Sequence, residues 1–171
     1  MTDTNRFFFV IYEHGINNTE AICTEIENSG IIIDKKINVQ FPFKQFTNFI
    51  VDIYPDTNKK HVKLKNKFII NYCKRKNLVR AVILLTTVEN WTKHHYGKFG
   101  FKCKQVEDVK RKIRNLYNPK SDNRNLQVNP LNKGVSHNHV IHSIDFPNEF
   151  PMIYDVIKKY TDYIIDVVEL S

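Results

Sequence analysis

The chain has 171 residues, 42% of them hydrophobic and 12% aromatic, which suits one globular domain spanning 1–171 and excludes a disordered chain. Its formal net charge of +8 favours anionic partners, although the lysine enrichment of an Asn-, Ile- and Lys-rich sequence accounts for the same charge without a function. No apolar run reaches membrane-spanning length, residues 1–6 lack a signal-peptide layout, and the three distant cysteines form no Cys-x-x-Cys pair, so the expectation is an intracellular, cytoplasmic chain with reduced thiols, no membrane partner and no cysteine zinc site.

Residues 7–12 (FFFVIY) are apolar throughout and predict a central buried strand. Residues 17–20 supply Asn and Thr for capping and Glu for a first turn; the helix they open stops at Gly30. Residues 31–41 return as a strand with period two at Ile33, Lys35, Ile37 and Val39, and Pro42 opens a helix through Phe46, Phe49, Ile50 and Ile53. Residues 55–65 are polar and read as a surface loop; residues 67–74 predict a further helix. Residues 79–86 (VRAVILLT) form the second core strand. Residues 88–96 read as a helix bearing Trp91 and a surface pair, His94 and His95, that ends in the glycine-containing stretch 97–104. A basic helix follows over 106–117 with Val109, Ile113 and Leu116 inward, then a long loop over 117–134. A last helix is expected over 150–160 and a terminal strand or extension over 163–170. This order predicts an α+β fold: a ferredoxin-like split βαβ sandwich, with a four-stranded antiparallel sheet whose central strands are 7–12 and 79–86, and helices on one or both faces. The core covers about 6–160, with 161–171 as a C-terminal extension.

The densest chemistry lies at His137-Asn138-His139-Val140-Ile141-His142-Ser143-Ile144-Asp145. Val140 and Ile141 end a buried strand, which puts His142 where the chain leaves the core, its ring toward a pocket. Imidazole titrates near neutrality and serves as a nucleophile or acid/base there. His137 and His139 share one strand face and His142 takes the other, so a single metal ion held by all three is not expected. Lys110, Arg111, Lys112 and Arg114 make a basic helix face, either a contact surface for phosphate or RNA or a solvated face. Phe99, Phe101 and Tyr117 either stack on a base or pack in the core.

In this order the segments resemble nucleoside diphosphate kinases over most of residues 6–160. Tyr12-Glu13-His14-Gly15 stands where that family has a lysine followed by Pro-Asp-Gly. Residues 19–30 match its first helix and glycine stop. Arg111 precedes Asn118-Pro119 by the family's six intervening residues, and residues 139–145 (HVIHSID) match Asn-x-x-His-Gly-Ser-Asp. The resemblance implies the same fold type and a phosphohistidine at His142. It further implies phosphate or ligand contacts from Arg111, Tyr12, His139, Asn118 and Arg114, loop support from Asp145, and magnesium arriving with a nucleotide, without a protein-bound metal.

The chain departs from that family at Tyr12, which has no charge where the lysine stood. Neither Val128 nor Asn129 replaces a second arginine, and Ile153 stands where an acid steadies the histidine. Loss of two of three cations, each worth about 3 kcal/mol to a charged transition state, leaves ordinary nucleoside diphosphate kinase turnover unexpected. Three readings follow. The first is a phosphotransferase-like protein acting on a nucleotide or phosphorylated small molecule through His142. The second is a non-catalytic nucleotide- or nucleic-acid-binding module. The third is a structural protein that keeps only the fold. Further copies of the chain, as a homo-oligomer, are compatible with each.

Overall fold

The computed structural model describes residues 4–97, 100–118 and 140–170. β1 (Arg6–Ile11) is buried at every position after Arg6, as a strand covered on both faces must be. A 3-10 turn (Glu13–Asn18) leads into α1 (Thr19–Asn28), and Gly30, at φ +82°, lets the chain reverse after the helix. β2 (Ile32–Pro42) buries Ile33, Ile37, Val39 and Phe41, its alternation interrupted by an irregularity between Ile33 and Lys35, and α2 (Phe43–Asp52) starts directly behind Pro42. α3 (Lys59–Lys65) and α4 (Lys67–Cys73) precede β3 (Leu78–Thr87). β4 (Lys93–Gly97) and β5 (Gly100–Cys103) form a separate two-stranded ribbon ahead of α5 (Lys104–Tyr117). The chain closes with β6 (Ile141–Ser143), α6 (Met152–Lys159) and β7 (Ile164–Glu169).

The main sheet has the order β6-β1-β3-β2-β7, and every neighbouring pair is antiparallel. The fold is therefore α+β, with β1 and β3 inside the sheet. Among the described residues the sheet has five strands where four were expected. The fifth, β7, pairs with β2 from Lys35 to Val39, and Lys35 meets Glu169 at 3.1 Å. On β1, Phe7, Phe9 and Ile11 face α1, whose Ile22 approaches Ile11 across Gly15, while Phe8, Val10 and Tyr12 face the side on which Phe46 of α2 meets Tyr12 at 6.3 Å. Phe41 joins Phe46, Phe49, Tyr160 and Tyr163 in an aromatic layer at 4.8–6.3 Å. α5 lies against β6 and α1.

Two expected elements are corrected. Within 55–65 the chain turns into α3, because the Asn58 side chain accepts from the His61 amide and Val62 is buried. Residues 93–97 are a strand and not the end of a helix. Gly97 pairs with Gly100 across the ribbon, and His95, at φ +47°, sits in a bulge between His94 and Tyr96. Trp91 anchors this segment instead of a helix, with its ring edge on Phe7 and its indole N–H donating to the Thr4 carbonyl. Among the described residues no helix is long and apolar enough to cross a membrane.

Candidate functional site

β6 forms one edge of the main sheet. Tyr12 donates its backbone N–H to the Val140 carbonyl at 2.8 Å, and His142 stands opposite Val10. Opposed residues share a face, so the imidazole projects toward Phe8 and Tyr12. Its ring meets Phe8 edge-on at 6.1 Å and lies over Tyr54, from the turn after α2, at 4.2 Å and 33°. His142 is only 6% exposed. Burial first, then the charges of Lys110 and Arg114, press its pKa down to about 3, against the pull of Asp145 and a backbone hydrogen bond at Ile53. The ring is neutral at pH 7. Its Nε2 has no hydrogen-bond partner among the described residues. In the tautomer protonated on Nδ1, Nε2 carries the lone pair.

Arg114 explains how this rim tolerates burial. Alternation along β6 turns the Ile141 carbonyl away from β1, and Arg114 donates to it from Nε at 3.2 Å and Nη2 at 2.9 Å. Four residues earlier on the same helix face, Lys110 holds Asp145 at 2.8 Å, with both side chains largely buried. Burial opposes ionisation of Asp145, but Lys110, with Lys102 and Arg114, keeps its carboxyl below the ordinary value. Burial lowers the Lys110 ammonium, and the Asp145 charge works against that shift. The Asp145 carbonyl accepts from the Cys103 amide, which fixes the end of β5 to the end of β6. Asn118 caps α5 and accepts the Val140 N–H on Oδ1 at 3.2 Å. Gly15 allows the turn after β1 to pass the start of β6: a Cβ there would stand 2.9 Å from Ile11 and 3.3 Å from the Val140 carbonyl.

The structure thus brings Tyr12, Arg114, Asn118, His142 and Asp145 to one end of the sheet. It does not bring Arg111 there. Arg111 is exposed and lines a surface groove with Asp108, Lys112 and Asn115. The helical phase is the cause: Val106, Val109, Ile113 and Arg114 face inward, so position 111 turns to solvent, as does Leu116, which was expected inside. His139, its neighbour His137, the loop at 119–134 with Val128 and Asn129, and Phe99 lie outside the described residues.

Tyr54, Lys110, Ser143 and Glu149 complete the cluster. The i,i+4 spacing of Lys110 and Arg114 carried the signal for a shared face; nothing in the sequence singled out Tyr54. Tyr54 donates its hydroxyl to Asn66 at 3.2 Å. Tyr12 is fully buried, and burial together with Tyr54 raises its phenol well above the ordinary value. Tyr12 Oη and Ser143 Oγ are buried without a partner among the described residues. Glu149 is pushed up to about 7 by burial and then by the Asp145 charge. Above pH 7 its ionised form therefore weakens the fold, and Glu149→Gln is expected to stabilise the protein at pH 8 by about 1–2 kcal/mol, less than the full linkage because water reaches the site. Below pH 4.5, where the carboxyl is protonated folded or unfolded, the gain should vanish in parallel urea titrations.

Among the described residues no three His, Cys, Asp or Glu side chains converge to hold a metal ion. The cluster instead holds a neutral imidazole whose buried Nε2 has no partner among the described residues, beside two largely buried cations, and a lone pair on that nitrogen suits a phosphorus centre. Compared with models of known protein families and with curated proteins, the chain matches none.

Proposed function

We propose that the chain is a diverged protein of nucleoside-diphosphate-kinase type that binds a nucleotide or another phosphorylated small molecule at the β6 rim, where His142 meets the phosphate. Two features support the reading. The order β6-β1-β3-β2 contains two split crossovers, β1-α1-β2 around β3 and β3-α5-β6 around β1, as a ferredoxin-like sandwich requires, with β7 an addition. The observation that carries it is the unpartnered Nε2 of a neutral His142 beside Arg114 and Lys110.

In the transfer this site would support, the Nε2 lone pair forms a bond to the terminal phosphorus of a nucleoside triphosphate. The bond from that phosphorus to the bridging oxygen breaks, and the diphosphate leaves with the electron pair. Magnesium would come with the nucleotide. Arg114 and Lys110 supply positive charge, but Tyr12 offers a hydroxyl where charge is most useful, so transfer is slow. Incubation with γ-labelled ATP and magnesium should give a faint, acid-labile label that disappears in His142→Asn. A label that survives this substitution contradicts the assignment of the nucleophile.

A second reading rests on the same geometry. Arg114 is engaged by Ile141, and Lys110 by Asp145, so both cations already have internal partners. In this reading the cluster binds a ligand without chemistry, or only holds β6 in place. Saturable nucleotide binding with no label selects the former, and no binding selects the latter.

A further inference from the structure

Charge is not spread evenly along the chain. Residues 57–88 contain nine Lys and Arg and no Asp or Glu, more than the net charge of +8 for the whole sequence. Folding gathers much of this charge on one surface. α3 and α4, with α2 as the third wall, enclose an open groove of about 620 Å³ rimmed by Lys60, Lys63, Lys67 and Lys74. Its apolar lining includes Leu64, which is 60% exposed, and Ile70. Among the described residues none of the four lysines pairs with a carboxylate. Uncompensated ammonium groups around an exposed leucine need an occupant that is acidic and apolar at once.

We propose that this groove docks an acidic amphipathic helix from a partner protein. The occupant's apolar residues, at i, i+3 and i+4 spacing, would rest on Leu64 and Ile70, and carboxylates on its flanks would meet the lysines. The lining favours this occupant over nucleic acid, since its one aromatic residue, Phe43, is partly buried against the core while the aliphatic Leu64 stands exposed, and the rim has lysines in place of forked guanidinium groups. A concave floor likewise fits a helix better than a flat lipid surface. The site is separate from the β6 cluster and stands whether or not that cluster binds phosphate.

The test is fluorescence anisotropy with a labelled probe peptide of about 20 residues, its leucines at helical spacing and its other positions rich in glutamate. A scrambled peptide of equal composition, oligo(dT) and phosphatidylserine vesicles serve as comparisons. The helical probe should bind at least about tenfold more tightly than the scrambled one. Lys63→Glu with Lys67→Glu should lower its affinity by about tenfold or more, and Leu64→Ser, which leaves every charge in place, should also weaken it. Equal binding of both peptides with no effect of Leu64→Ser would overturn the proposal in favour of plain screened charge. Tighter binding of oligo(dT) or of vesicles, lost in the lysine variant, would also overturn it. So would concentration-dependent self-association abolished by Leu64→Ser, which would make the occupant a second copy of the chain.

Discussion

Arg114→Met should lower the free energy of unfolding by about 2–3 kcal/mol, while Arg111→Ala, three positions away on the same helix, should change it by less than about 0.5 kcal/mol. Arg114 is 5% exposed and gives the Ile141 carbonyl two charge-assisted hydrogen bonds. Methionine keeps much of the buried stem but leaves that carbonyl facing an apolar side chain. Arg111 is exposed, and its loss removes only screened charge. The Arg114 charge also helps hold the His142 pKa down, so the variant's imidazole should titrate at a higher pH than the wild type's. Urea unfolding at pH 7 reads the first effect as a midpoint shift, and NMR titration of the ring reads the second. Equal midpoints for the two variants would contradict this account of α5.

His142 should make the protein acid-sensitive in a defined window. Its pKa is about 3 in the folded chain against an ordinary 6.5. Between those values the unfolded chain binds a proton that the folded one refuses, so stability falls as pH falls from about 6.5 to about 3 and is fully present above 6.5. At about 1.36 kcal/mol per pH unit, the loss reaches about 4–5 kcal/mol across the window. Glu149 works in the opposite sense between 4.5 and about 7, because its carboxyl is protonated in the folded chain first. The His142 slope is therefore cleanest below pH 4.5, or in a Glu149→Gln background. His142→Phe, which can keep ring contacts with Phe8 and Tyr54 and cannot titrate, should flatten the curve by close to one proton over the window. An unchanged slope would mean that the ring is solvated and not pressed against Lys110 and Arg114.

The strands with residues apolar on both faces were legible in the sequence. FFFVIY, and VRAVILLT apart from its exposed Arg80, have no solvent side, and only the interior of a sheet accommodates such runs, whereas β7, with Ile165 and Val167 exposed, gave no such signal. Periodicity failed where local chemistry overrode it. The β4–β5 ribbon depends on a bulge at His95 and a glycine pair, which a residue pattern of eight positions does not encode. At the site, the placement of His142 followed from strand alternation, and that of Asp145 from sequence proximity. Arg111 and Arg114 are separated only by helical phase. Counting back from Asn-Pro selects the first, whereas the inward stripe of Val106, Val109 and Ile113 selects the second. Tyr54 reaches His142 from a different segment of the chain, by a contact that no spacing within one element predicts.

A phosphate bound at the β6 rim would meet His142 Nε2. The most direct measurement is the 15N resonance of that nitrogen in histidine-labelled protein, followed as ATP and magnesium are added at pH 7. The His142 signal should shift saturably, less in Arg114→Met at matched folded fraction and undiminished in Arg111→Ala. A His142 signal that stays fixed at saturating nucleotide, inorganic phosphate and pyrophosphate would contradict this contact and leave the cluster as the clasp that holds β6 to the sheet.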